Sequence, residues 1–214
     1  MDVRRSYDQA ARGYTRQLLS ELDRKPLDRH LLNRFAEDVR GRGLVADLGC
    51  GPGHVARYLH DQGVNVVGID LSSEMVACAS EQHPGLTFRA GDMTSLDFES
   101  ASLAGIVSFY SIVHFDAASL SGVAREFHRV LSPGGLALVA FHVGVQVVHL
   151  DELFGAPVDL DFHFHTPAAV VRTLAAARLE TVEIAEREPY EGAEHPSRRC
   201  YLLARAQGGP EARL

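Results

Sequence analysis

The sequence predicts a doubly wound α/β fold. Its sheet has seven strands, mostly parallel, with one antiparallel strand near the C-terminal edge. Three observations carry this. Short apolar runs alternate with amphipathic segments from Leu44 to Phe141, and strands buried on both faces by crossover helices read as continuous Val, Ile and Leu runs. The stretch VADLGCGPGHVARYL, Val45 to Leu59, sets Gly49, Gly51 and Gly53 between an apolar run and a helical one. The tail carries two strand-like runs with no helix between them, and a helix-free connection joins antiparallel partners.

In chain order, Tyr7 to Arg40 reads as two helices. The first, YDQAARGYTRQLL, is expected to break at Gly13; Pro26 opens the second. Leu44–Leu48 is a strand, Val55–Asp61 a helix stopped by Gly63, and Asn65–Asp70 a strand. Ser72–Gln82 is a helix capped by Ser72 or Ser73 and ended by Pro84 and Gly85. Leu86–Ala90 and Leu103–Phe109 are strands, Ala118–Leu131 a helix, SPGG a turn and Leu136–Phe141 a strand. Pro167–Ala177 is a helix behind a Thr166 cap. Leu179–Arg187 and Arg198–Ala206 form the final pair, joined by the turn-rich EPYEGAEHPS, and GGPEARL is expected to fray.

The 214 residues fit one domain, and a net charge of -7 argues against a nucleic-acid partner. The arginines between Val3 and Arg42 alternate with Asp and Glu, as on solvated helix faces. Cys50, Cys78 and Cys200 are too scattered for a disulfide framework or zinc knuckle, and Cys78 and Cys200 read as small buried hydrophobes. MDVRRSYDQ is not a signal peptide, and no apolar run reaches membrane-span length. A cytoplasmic protein with no membrane partner, a monomer or homodimer, is expected.

In a doubly wound sheet, ligands bind outside the C-terminal strand ends where the strand order reverses. Glycines in the first strand–helix turn let the backbone approach such a ligand. A dinucleotide fingerprint is G-x-G-x-x-G; here His54 stands at the third glycine. Asp70, ending the second strand, suits a ribose diol. Asp92 can accept from an exocyclic adenine amine, and Met93 can lie on the ring.

With VADLGCGPG, VVGIDLS, FRAGDM, IVSFYSIVHF and LSPGGLALVAF in order, Val45 to His142 resembles the class I S-adenosylmethionine-dependent methyltransferases, especially the small-molecule group. The resemblance implies a Rossmann-like fold and S-adenosyl-L-methionine as cofactor, leaving as S-adenosyl-L-homocysteine. It sets Asp47, Gly49 and Gly51 at the methionine end, Asp70 on the ribose hydroxyls, and Leu71, Asp92 and Met93 at the adenine. Phe109 lines the site, and Cys50 and Gly91 complete the cofactor set. YDQAARGY resembles the family's N-terminal lid, with Tyr14 toward the cofactor and Tyr7 toward the acceptor. The domain then divides into a lid (1–42), a cofactor core (43–142), a substrate-covering insert (143–165) and the closing helix and strand pair (166–206).

The expected reaction is in-line transfer of a methyl group to O, N or C of a small-molecule acceptor. His114 is the first candidate base, since imidazole titrates near neutrality; His142 is the second. Tyr110 is a candidate acceptor contact. VDLDFHFHTP puts Asp159, Asp161, His163 and His165 on one face of an extended run and Leu160, Phe162 and Phe164 on the other. One or both of His163 and His165 are therefore expected to face the acceptor, with no metal required. The rivals are a nicotinamide-dependent reductase, disfavoured by His54 and the antiparallel tail, and a related protein that binds cofactor without catalysis.

Overall fold

The computed structural model describes residues 2–192 and 194–208. Of the tail expected to fray, everything after Gly208 lies outside the described residues. The chain opens with α1 (Val3–Leu18), whose N-cap Asp2 accepts from the Arg5 N–H. Gly13 does not break it. A Cβ there would sit 2.7 Å from the Phe154 carbonyl oxygen, so the glycine makes room for a neighbour rather than a bend. A 3₁₀ turn (Glu21–Arg24) leads to α2 (Pro26–Val39), with proline in the first turn where its missing N–H costs nothing.

Six further strands and helices follow as βα units: β1 (Leu44–Leu48), α3 (His54–Asp61), β2 (Val66–Asp70), α4 (Ser73–Gln82), β3 (Thr87–Ala90) and β4 (Leu103–Phe109). Ser72 caps α4 by accepting from the Met75 N–H. After β4 comes a 3₁₀ turn (Ile112–His114), then α5 (Ala117–Val130), capped by Asp116. β5 (Leu131–His142) contains the expected SPGG turn as an irregularity: its register on β4 jumps from Leu103↔Leu131 to Gly105↔Leu136.

The main sheet runs β3-β2-β1-β4-β5-β9-β8. Here α6 is Pro167–Ala176, behind its Thr166 cap, β8 is Leu179–Arg187 and β9 is Arg199–Ala206. β9 is antiparallel to both its neighbours and the other pairs are parallel, as the helix-free tail predicts. One face packs Val45, Val107, Leu138 and Ala140 on α2 and α3. The other packs Ala46, Ile106, Val139 and Phe141 on α5 and α6. Strand order reverses between β1 and β4, which is where such sheets open a ligand crevice. The three cysteines are buried and free.

A second, smaller sheet covers that crevice. β6 (Val147–Leu153) and β7 (Ala156–His163) form a separate antiparallel hairpin. α1 lies between it and α4. On one side Ser6 Oγ accepts from the Asp159 N–H at 3.1 Å, and Ala10 packs on Val158 and Leu160. On the other, Asp8 accepts from the Ser72 hydroxyl at 2.6 Å and Arg12 grips Glu81.

Candidate active site

Two cavities meet at the crevice. The smaller, about 90 Å³, is walled by Asp70, Leu71, Gly91, Asp92, Met93 and Met75. The larger, about 670 Å³, lies between the glycine turn, the hairpin and the β8–β9 loop. Tyr7, Tyr14, Gly49, Gly51, Phe109 and Tyr110 line both.

The smaller cavity is centred on the glycine turn and the ends of β2 and β3. Gly51 sits at φ 51°, and a Cβ there would point at the Tyr14 ring across 3.5 Å, in the space both cavities share. Its N–H donates to Asp70 Oδ2 at 2.8 Å, while Asp70 Oδ1 accepts from the Ser72 N–H at 2.9 Å. A carboxylate offers about four lone-pair sites, so capacity remains to accept from a ribose hydroxyl. Burial raises the Asp70 pKa to about 6 against backbone bonds from Ser72, Gly51 and Leu71. Asp47 accepts from the Ala56 N–H at 3.0 Å, and burial lifts it to about 7. Asp92 ties one oxygen to Thr94. Gly53 differs from its two fellow glycines. At φ 79° it caps α3 and leaves room for the Phe88 ring, 2.6 Å from where a Cβ would be. It lines neither cavity.

The larger chamber is built of side chains. Leu150, Phe162 and Phe164 of the hairpin give it an apolar wall. Opposite, Lys25 binds Glu21 at 2.6 Å and Glu194 at 3.5 Å, and His54 binds Glu21 at 2.9 Å. Burial opposes ionisation of Glu21, but His54 and Lys25 outweigh it and hold its pKa at about 2. Glu194 also receives Arg187, which bridges to Asp28 at 3.0 Å. Tyr110 stands at φ 56°, a strained conformation for an aromatic residue. Its hydroxyl bonds that of Tyr201 at 2.9 Å, and Tyr201 donates to Asp28 at 2.7 Å.

A family model described as a methyltransferase domain matches residues 45–135. The malonyl-[acyl-carrier protein] O-methyltransferase of Enterobacter lignolyticus is 33% identical over 63% of this chain and 51% of its own length. The demethylmenaquinone methyltransferase of Beutenbergia cavernae is 34% identical over 65% and 57%. The chain thus spans about half the length of these curated relatives. A solved Haloferax volcanii complex of the Trm112 methyltransferase activator with a methyltransferase contains a chain of the same fold. It shows a TM-score of 0.74 and 21% identity over 98% of this chain and 99% of that one.

Residues 45–135 thus match a methyltransferase domain, and the chain has the fold of solved methyltransferases. Family and fold imply S-adenosyl-L-methionine as its cofactor, and the crevice that the two cavities share suits one. It offers a turn without Cβ atoms, a carboxylate with lone pairs to spare, and Leu71 and Met93 as apolar walls.

The fold gathers most of the candidate residues at the crevice and leaves some outside. Asp70, Leu71, Gly91, Asp92 and Met93 line the smaller cavity; Asp47 and Cys50 line the larger; Gly49, Gly51, Phe109, Tyr7, Tyr14 and Tyr110 stand where the two join. Cys50 is buried, and burial raises its thiol well above its usual range. His114 lines the smaller cavity, its Nε2 accepting from the Tyr7 hydroxyl at 2.8 Å and its Nδ1 facing the Asp161 carbonyl at 3.4 Å. Burial lowers its pKa to about 4, away from the neutral range expected of it. His142 lines the larger chamber, stacked on Phe164 at 4.9 Å, with Nδ1 bonded to Ser197 Oγ at 2.7 Å. Burial, then the Arg199 charge, lowers it to about 3.

His163 and His165 line neither cavity, contrary to the expectation that one or both face the acceptor. The hairpin turns its apolar side inward, because α1 and the chamber cover Val158, Leu160, Phe162 and Phe164. The polar side faces out: Asp161 pairs across the hairpin with His149 at 2.8 Å, directly opposite in register. His165 is buried against the Phe141 ring. Sequence reasoning missed Lys25, Glu194 and Arg199. Glu194 sits in a segment legible only as a connector, and Lys25 only as a helix flank.

Proposed function

We propose that this domain transfers the methyl group of S-adenosyl-L-methionine to a small-molecule acceptor held in the larger chamber. The observation that carries the reading is the junction. Six residues line both cavities, so a cofactor seated on Asp70 has its far end at the chamber's floor. The sulfonium methyl that the cofactor supplies is already electrophilic. The chain's part is placement and the exclusion of water, and in-line placement alone can supply several kcal/mol.

Asp47 is suited to a cationic amino end of the cofactor, once ionised. Tyr7 and Tyr14 close the junction from α1, with their rings edge to face at 5.8 Å. His114 is neutral at pH 7, and its Nε2 holds the Tyr7 hydroxyl in place. A base near pKa 4 is a poor sink for a proton from an alcohol or phenol. We therefore assign His114 as a positioning residue for Tyr7. The acceptor is then a group already nucleophilic at neutral pH. The acceptors named for the two relatives support an acceptor other than nucleic acid.

Calorimetry tests the cofactor and pH kinetics the role of His114. S-adenosyl-L-homocysteine should bind and NADH should not; the reverse overturns the reading. Turnover with labelled cofactor should show kcat/KM without a limb between pH 5 and 8 due to His114. A neutral limb that vanishes in His114→Ala would make the histidine a general base after all.

A further inference from the structure

The chamber's polar end is unevenly compensated. Its carboxylates are well supplied with partners. Glu194 accepts from the Tyr190 N–H at 2.7 Å and from Arg187, with Lys25 and Arg199 at 3.5 and 3.4 Å. Glu21 holds both Lys25 and His54. Arg199 is the opposite case. Its side chain is 3% exposed and it lines the chamber. Its guanidinium donates to Ser197 and to the His195 carbonyl, neutral groups, and its approach to Glu194 lacks hydrogen-bond geometry. Its Nε has no hydrogen-bond partner. A buried guanidinium that meets its carboxylate only off hydrogen-bond geometry keeps the capacity to take a better-aligned anionic partner.

The neighbours agree. His142, stacked on Phe164 beside this end, is kept neutral by burial first and then by the charges of Arg199, His195 and Lys25. A neutral imidazole whose Nδ1 bonds Ser197 can present Nε2 to the chamber as a further hydrogen-bonding atom. The opposite wall, Leu150, Phe162 and Phe164, is apolar. The linked ion cluster balances Lys25, Arg187 and Arg199 against Glu21, Asp28 and Glu194. With no net excess of cations, an anion here would be held by aligned donors rather than by net charge, and a second negative charge would be opposed.

We propose that the acceptor is an amphipathic carboxylic acid, its carboxylate anchored by Arg199 and Lys25 and its apolar body laid on Phe162 and Phe164. This rests on reading the larger chamber as the acceptor site. Bidentate geometry makes a guanidinium the natural partner of a carboxylate, and the lysine adds a point charge.

The test uses the full chain saturated with S-adenosyl-L-homocysteine, with hydrocinnamate and hydrocinnamamide as probes matched in shape. The acid should bind about tenfold tighter than the amide, the scale of one charge-assisted hydrogen bond. Arg199→Gln and Lys25→Met should each shrink that preference while the affinity for S-adenosyl-L-homocysteine stays put. If Arg199→Gln fails to fold, Lys25→Met and the wild-type comparison still decide. Phe162→Ala should weaken acid and amide alike. Equal binding of the two probes overturns the anchor, as does a preference that survives both substitutions or tighter binding of phenylpropyl phosphate. Loss of S-adenosyl-L-homocysteine binding by the wild-type protein would instead strike the methyltransferase reading, and the acid preference is scored separately.

Discussion

The two halves of the site are made in different ways. The polar core of the cofactor half sits at successive strand ends. Asp47, Gly49 and Gly51 come from one turn, Asp70 and Leu71 from the next, and Gly91, Asp92 and Met93 from a third, each at the end of a parallel strand. The acceptor half is gathered from segments far apart in the chain: Lys25 before α2, Tyr110 after β4, Phe162 on the hairpin, Glu194 in the β8–β9 loop and Arg199 on β9. The first half depends on φ angles and N–H directions, which the sheet enforces. The second depends on side-chain charges that balance one another only when the whole fold is assembled. Substitutions in the first half should therefore abolish binding of one ligand, and substitutions in the second should retune the other.

The largest separation between the halves should come from Gly51→Val. A β-branched residue at φ 51° is strained by about 1–3 kcal/mol, and its side chain fills the space shared by both cavities. S-adenosyl-L-homocysteine affinity should fall by more than about a hundredfold, roughly 2.7 kcal/mol. Calorimetry showing unchanged binding would mean that the glycine turn is not a cofactor wall.

Next in size is the pH response of the cofactor half. Burial raises Asp70 to about 6 and Asp47 to about 7, so the folded protein holds more protons there than the unfolded chain does. The sign follows. The stability these two groups confer is fully present below their unfolded pKa, near 4, and is lost as pH rises through 6 to 7. The ligand-free protein should thus lose melting temperature over that window from these groups. Cofactor affinity should move the other way, rising by about tenfold to a hundredfold from pH 5 to 8 as the carboxylates ionise. Asp70→Asn should flatten part of the rise. An affinity that is flat with pH in the wild-type protein would contradict a role for either carboxylate in its ionised form.

The acceptor half should respond differently to Phe162→Ala. The ring packs edge to face on His114 at 5.0 Å and lines the chamber. Removing it should raise the acceptor KM by about tenfold, the scale of one lost aromatic contact, and leave S-adenosyl-L-homocysteine affinity within about twofold. A cofactor affinity that falls in parallel would show the two halves to be coupled rather than distinct.

The same division explains what the sequence made legible. The strand ends and their carboxylates announce themselves, because glycine, aspartate and apolar runs sit at fixed spacing within one or two turns. The reversal of β9 was readable from a connector with no helix. The hairpin was not. Its second strand showed an alternating pattern, but alternation gives two faces without saying which one is covered. Helix α1 decides that, and its contact with the hairpin links residues 153 positions apart. His163 therefore lines neither cavity, while Phe162 and Phe164 line the chamber. Arg199 and Glu194 carry no local signal at all; their chemistry exists only where β9 returns beside α2 and the loop.

The smallest effect bears most directly on how the acceptor half is held shut. Gly13 lies inside α1 with ordinary helical neighbours, and Gly→Ala in a helix interior normally stabilises by about 0.5–1 kcal/mol. Here a Cβ would stand 2.7 Å from the Phe154 carbonyl oxygen and 3.3 Å from its Cβ. Both are held by a turn in which Phe154 itself sits at φ 51°, so neither is a flexible side-chain end that can swing aside. Overpacking of this kind costs about 1–3 kcal/mol. The clash should win, and Gly13→Ala should lose about 1 kcal/mol by chemical denaturation. The hairpin tip should be displaced with it, because Phe154 packs edge to face on Tyr14 at 5.6 Å and lines the chamber. Acceptor KM should therefore rise by a few fold, on the scale of about 0.5–1 kcal/mol for a loosened aromatic pair. Cofactor affinity should be spared as long as the Tyr14 ring stays over Gly51. If Gly13→Ala stabilises the protein with kinetics unchanged, α1 is not seated against the hairpin in solution and the chamber is open on that side.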